Sequence, residues 1–244
     1  MELSFLIYFV ILVLVTIQTI AGVGVLVVGT PSFLLMGFSF VETLSILLPI
    51  SIFTSLINLI YFKYKQKQMK ISIHQETKNL FFLICLPSIF VGLFILKFFY
   101  EFIEFKYLVA TVILLSLFAI NQKKYFLTIN KKTRSIFLFL TGIIHGLSNS
   151  GGSLLSLLIS NYLNKNKSRY NISFFYFFLA LFQFLIFVFL FNISGYILNV
   201  YYLSITIPIG VIFGIIINDF VNTKDFKKII NLLTIIVCFF LIFN

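Results

Sequence analysis

Two short stretches of this chain gather the groups able to do chemistry. HGLSNSGGS, residues 145–153, sets a histidine, an asparagine and serines around Gly151 and Gly152, and AGVGVLVVGTPS, residues 21–32, places Gly22, Gly24 and Gly29 ahead of Thr30 and Pro31. A helix starting after Gly29, with Pro31 in its first turn, or after Gly151, presents unpaired backbone N–H groups and the positive end of its dipole. Glycine lets a ligand come close to that backbone, while Thr30, Ser148, Asn149, Ser150 and Ser153 donate further hydrogen bonds. The chemistry this pattern fits is the binding of a small anion. No Asp or Glu lies inside an apolar run except Glu42 at an edge, so no fixed negative charge opposes it. His145 is the only titratable group in either stretch; it can carry a proton or act as a neutral donor, and the competing reading is a buried neutral ring bonded to a carbonyl.

Both stretches interrupt sequence of membrane depth. The chain has 244 residues, is 61% hydrophobic, and carries apolar segments near 3–37, 41–62, 79–97, 105–121, 134–160, 172–193, 200–217 and 228–243. Runs of this length match the ~20 residues that cross a bilayer, and in lipid only helices or closed barrels satisfy the backbone. Alternation of period two is absent, so the fold expected is an all-α polytopic membrane protein of about eight hydrophobic segments. The longest polar link, 63–78, is too short to bury a core, which leaves residues 1–244 as a single membrane transport domain. The net charge of +11 lies in links beside apolar segments rather than in a stripe, so the basic residues read as orientation signals and not as a nucleic-acid surface. The wealth of Phe, Ile, Lys and Asn, with no Trp, suggests a bacterium of AT-rich genome. Cys85 and Cys238 stand apart in apolar runs and read as packing residues; no metal or cofactor ligand set is present. The first run has small residues at Thr19 and Ala21 but starts with Glu2 and no basic residue, so it reads as part of the mature chain and not as a signal peptide.

The two interrupted segments suggest a duplication. A shift of 122 residues lays Gly29 on Gly151 and Gly92 on Gly214, brings Pro87 within one residue of Pro208, and superposes the fourth segment on the last. The halves are then about 1–122 and 123–244. Lys and Arg concentrate in links 63–78, 121–134, 161–171 and 218–228, which should share the cytoplasmic side. A single crossing by 134–160 would separate two of those links, so this segment is expected to enter and leave on one face. Arms of ~13 residues at 1.5 Å rise reach about 20 Å, past the middle of the bilayer, as a re-entrant hairpin or as two tilted crossings. Residues 3–37 should do likewise around Gly22 to Pro31. The N-terminus then lies outside and the repeats have inverted topology, each beginning with a Gly-broken helix.

Behind each break runs a polar stripe. Ser51, Ser55 and Asn58 share one helical face, and so do Ser173, Tyr176, Ala180 and Gln183. Asn58 and Gln183 stand at similar distances beyond their breaks and could face one shared pathway, or could simply bond neighbouring helices. Gly210 and Gly214 read as helix-packing residues, and Pro87 and Pro208 as bends, static or mobile.

GVGVLVVGTPSFLLMGFSFVETLSILLPISIF followed by GIIHGLSNSGGSLLSLLIS resembles the TauE/SafE family of sulfite-exporter-like anion transporters, over nearly the whole chain. The resemblance implies transport of a small, often sulfur-containing anion such as sulfite or a sulfonate across a bacterial inner membrane, coupled to an ion gradient of H⁺ or Na⁺. Carried over by position, the family's glycine-rich breaks are Gly22, Gly24, Gly29, Thr30 and Pro31 in the first half and Asn149, Ser150, Gly151 and Gly152 in the second. Val25 to Val28 make the first break less glycine-dense than the family's common form. With the stripes, the candidate substrate-binding residues also include Ser55, Asn58, His145, Ser148 and Gln183. An enzyme is disfavoured, because no HExxH, GxSxG or carboxylate pair lies in an apolar run; a non-transporting membrane scaffold or assembly subunit is the alternative.

Overall fold

A computed structural model describes residues 5–22, 24–69, 72–99, 131–163, 165–191 and 200–220, with single positions at 104, between 107 and 118, and at 235, 239 and 242. The described residues form helices and connecting turns, with no strand among them. In chain order the helices are α1 (Phe5–Ala21), α2 (Gly29–Leu35), α3 (Phe40–Met69), α4 (Gln75–Leu80), a π-turn at Phe81–Cys85, α5 (Leu86–Phe99), α6 (Lys131–Ser148), α7 (Gly151–Tyr162), α8 (Lys165–Phe191) and α9 (Val200–Phe220). Three stretches are long and apolar enough to cross a membrane: Phe40–Tyr64, Gln75–Phe99 and Lys167–Phe191, 25 residues each. At 1.5 Å per residue each spans roughly 37 Å, more than a ~30 Å hydrocarbon core. Phe5–Ala21, Arg134–Ser148 and Ile205–Asn218 are shorter apolar helices. Their outward faces are apolar too: on α5 the exposed rings of Phe90, Phe94 and Phe98 stack in a ladder, with centroids 6.0 and 4.5 Å apart. The chain is therefore an all-helical, multi-pass membrane protein. Most of segments 105–121 and 228–243, and Cys238, lie outside the described residues.

Local sequence explains where the helices start and bend. At the head of α3, Ser39 and Glu42 form a reciprocal cap: Ser39 N–H and Oγ donate to Glu42 Oε2 at 2.9 and 2.8 Å, and Glu42 N–H donates to Ser39 Oγ at 3.2 Å. Glu42 thus serves a helix end. Between α4 and α5, Pro87 lacks an N–H and its ring would collide with the carbonyl one turn back. The π-turn just before it, in which Leu86 N–H reaches back to Phe81 O, widens the helix where the clash would fall.

Small residues set the packing. α5 lies against α6 through Gly92, Gly142 and Gly146: a Cβ at Gly92 would overlap Ile143 O, one at Gly142 would overlap Ser88 Oγ, and one at Gly146 would come within 2.8 Å of Leu93 N. α9 lies against α1 through Gly210 and Gly214, whose Cβ atoms would stand 2.8 Å from Val15 and 2.6 Å from Thr19, the packing role their spacing suggested. α3 runs against α8. Cys85 is buried in the core beside Gly142.

One end of the molecule brings three links together. Glu76 pairs with Arg134 at 2.5 Å. Asn171 accepts from His74 N–H at 2.8 Å and donates to Ser72 O at 3.0 Å. The start of α6 and the first turns of α8 therefore meet the same 72–76 link.

Candidate functional site

Both interrupted segments are broken as helices, and the two breaks touch. α1 ends at Ala21 and Gly22 takes a left-handed φ of 80°; α6 ends at Ser148 and Asn149 takes a left-handed φ of 61°. Asparagine is one of the few side-chain-bearing residues that tolerates that region. In each case the N–H of the left-handed residue closes the helix onto the carbonyl four residues back, Gly22 onto Gln18 at 2.7 Å and Asn149 onto His145 at 2.9 Å. The contact between them is one hydrogen bond from Asn149 Nδ2 to Thr30 Oγ1, 2.8 Å long and fully buried.

Around the second break the polar groups are only partly used. Ser150, at the N-terminus of α7, does not cap its own helix; its hydroxyl turns back to Ser148 O at 3.0 Å. Ser148 Oγ donates to Ile144 O, and Ser153 N–H and Oγ both return to Ser150 O. No described residue accepts from the N–H groups of Gly151 or Gly152, which form the first turn of α7. Gly151 lies against His145 and Thr141 O, and Gly152 lies under the Tyr176 hydroxyl, so that a Cβ at either would overlap them. Gln183 Nε2 donates to His145 O at 3.1 Å. His145 Nδ1 and Nε2, Tyr176 OH, Gln183 Oε1 and Asn149 Oδ1 are all buried with no partner among the described residues. The expected carbonyl bond of the His145 ring is thus not made.

The first break is used up by comparison. Val28 and Gly29 N–H both donate to Gly24 O, Thr30 N–H donates to Leu26 O, Ser32 N–H donates to Val28 O, and Pro31 has no N–H to offer. Gly24 rests on the last turn of α1, Gly22 against Ile172, and Gly29 between Leu14 and Leu47. Gln18 completes the network. Its Oε1 accepts from Val25 N–H at 3.2 Å, and its Nε2 donates to Ser51 O and Ser55 Oγ at 3.2 and 3.1 Å. Asn58 Nδ2 donates to Thr19 Oγ1 at 3.3 Å. The two polar stripes accordingly end on the two broken helices, Ser55 and Asn58 on α1 and Gln183 on α6.

Three residues go beyond what the sequence marks as functional. Gln18 is visible there as a lone amide in an apolar run. Tyr176 falls in its polar stripe, with nothing in its spacing to make it a site residue. Arg169 sits among the link charges, yet it is buried: its Nη2 donates to Thr19 O at 2.6 Å and its guanidinium stacks 5.1 Å from the Phe62 ring centre. A cation there suits the negative end of α1.

A multi-pass helical protein with two broken helices bonded to each other inside the bundle has the architecture of a membrane transporter. The family model for sulfite exporter TauE/SafE matches residues 7–241, and the chain belongs to that family, as its two glycine-rich motifs implied. No curated protein and no solved structure matches significantly.

Proposed function

We propose that the chain is a bacterial inner-membrane secondary transporter that moves a small anion, such as sulfite or a sulfonate, by alternating access around the facing breaks. The observation that carries this is the Asn149–Thr30 bond, which brings the bare N–H groups at the start of α7 to the meeting point of the two broken helices. A helix N-terminus of this kind favours negative charge, and the absence of carboxylates from the site favours it further. The residues proposed to surround the anion's path are Gly22, Gly24, Gly29, Thr30, Pro31, Ser55, Asn58, His145, Ser148, Asn149, Ser150, Gly151, Gly152 and Gln183, with H⁺ or Na⁺ as coupling ion.

The inverted repeat belongs to the same proposal. Exchanging α1 with α6, α3 with α8, and α5 with α9 maps the three most extensive packing pairs between these helices onto themselves: α1 on α9 becomes α6 on α5, and α3 on α8 is its own image. The shared contacts of link 72–76 support an α6–α7 hairpin that enters and leaves on one face.

The test is uptake of labelled sulfite into proteoliposomes. Saturable, gradient-driven flux is expected from the wild type, and background flux from Gly152→Val, whose branched side chain would collide with Tyr176. Wild-type flux in a correctly inserted Gly152→Val would remove the site, and no flux of sulfite, sulfonates or carboxylates by the wild type would leave the scaffold reading in its place.

A further inference from the structure

We infer that the anion is gripped from one side: the second break supplies its direct ligands, while the first is a wall sealed by its own chain and by Gln18. This rests on the anion-transport reading above and adds which half does the binding.

The two breaks are built alike up to one point. Each helix closes on a left-handed residue, Gly22 or Asn149, whose N–H bonds the carbonyl four residues back. That preceding residue is Gln18 in the first half and His145 in the second. Both are buried, at 1% and 0% exposure, yet they behave oppositely. The Gln18 amide turns into its own break and takes Val25 N–H, with Ser51 and Ser55 holding its other end. The His145 ring meets no polar partner among the described residues.

The surroundings repeat the contrast. Gly22, Gly24 and Gly29 face Ile172, Ile17, Leu14 and Leu47, and the N–H groups of Val28, Gly29, Thr30 and Ser32 are all bonded to nearby carbonyls. Gly151 faces Thr141 O and the backbone and Cβ of His145, Gly152 faces the Tyr176 hydroxyl, and their N–H groups have no acceptor among the described residues. Burying polar atoms without partners is costly, and such groups in a native fold call for an occupant. Two backbone N–H groups, the Tyr176 hydroxyl and one His145 ring N–H together make a set of donors suited to a single oxyanion group. Gln183 Oε1 and Asn149 Oδ1, also unpartnered, can accept from a hydrogen the ligand carries or from water that accompanies it. In the first half the corresponding place is already filled, since the Val25 backbone is there the ligand of Gln18.

Equilibrium binding of radiolabelled sulfite and methanesulfonate to the detergent-purified full chain tests this, with Tyr176→Phe and His145→Gln as variants. Tyr176→Phe keeps the ring and removes only the hydroxyl; His145→Gln installs the amide that seals the first break. The expected result is one anion per chain, affinity about tenfold or more weaker in Tyr176→Phe, and no detectable binding in His145→Gln. Should one variant fail to fold, the other still decides. Two anions per chain, or wild-type affinity in a folded variant, would overturn the one-sided site while leaving anion transport standing. No saturable binding of either anion by the wild type would overturn the anion reading and this inference with it.

Discussion

Asn149 does two things at once: its backbone turns the chain out of α6, and its side chain reaches Thr30 in the other broken segment. Residue type alone makes much of this legible, because glycines, hydroxyls and an amide amid Phe and Leu can only mean a broken helix or a tight contact. The difference between Gln18 and His145 is not legible, since both are polar residues in apolar runs and only the fold decides which finds a partner. Arg169 escapes for a related reason: its position in a basic link says nothing of the guanidinium lying under Phe62. At the molecule's edge, His74 makes a prediction of its own. Its Nδ1 accepts from Thr77 N–H to cap α4, which requires the neutral ring. Partial burial, then the nearby Arg134 charge, lower its pKa below the ordinary value, against a smaller opposing pull from Glu76. A histidine whose folded pKa is depressed gives no stability difference above its unfolded pKa and destabilises the fold as pH falls below it. The melting temperature should therefore drop between about pH 7 and about pH 5, and His74→Asn, which retains a capping side chain, should flatten that drop. An unchanged slope in His74→Asn would assign the acid sensitivity to other groups.

Among the elements, the small residues carry more than the sequence suggests. Gly142 and Gly146 run up to the second break in sequence, but they face α5: Gly146 meets its backbone directly, and Gly142 meets Cys85 O and the small Ser88 side chain. The signal is present as a four-residue spacing, matched by Ser88 and Gly92 on the partner helix, and it is masked by the neighbouring SNSGGS cluster. Replacing Gly146 by Leu should lower thermal stability by ~1–3 kcal/mol or more, the usual range for overpacking, because the new atoms would meet Ile89 O and Leu93 N rather than a yielding side chain. Thermal melts of the purified variant check this, and a wild-type melting temperature would mean that α5 and α6 are less tightly joined than described. Helix boundaries near the prolines are harder to read. Pro87 is expected as a bend, and the π-turn that precedes it has no sequence signature beyond the proline itself.

For the whole molecule, the clustering of basic links is the most informative feature of the sequence, because it constrains topology without reference to packing. The ion pair from Glu76 to Arg134 and the bonds from Asn171 to Ser72 and His74 join three of those links at one end. Cysteines at Arg134→Cys and Lys165→Cys should accordingly be labelled by an impermeant reagent from the cytoplasmic side alone; labelling from opposite sides would remove the hairpin and the inverted repeat together. The seating of Gly210 and Gly214 on α1 has a consequence for how the protein is made. Thr16 Oγ1 donates to Gly210 O across 194 residues of chain. At ~5–20 residues per second of synthesis, α1 waits on the order of 10 to 40 seconds after leaving the ribosome before its glycine-lined partner exists. During that interval its Thr16 and Thr19 sit in a membrane without the glycines they will pack against, which makes α1 a segment that a temporary companion in the insertion machinery would serve.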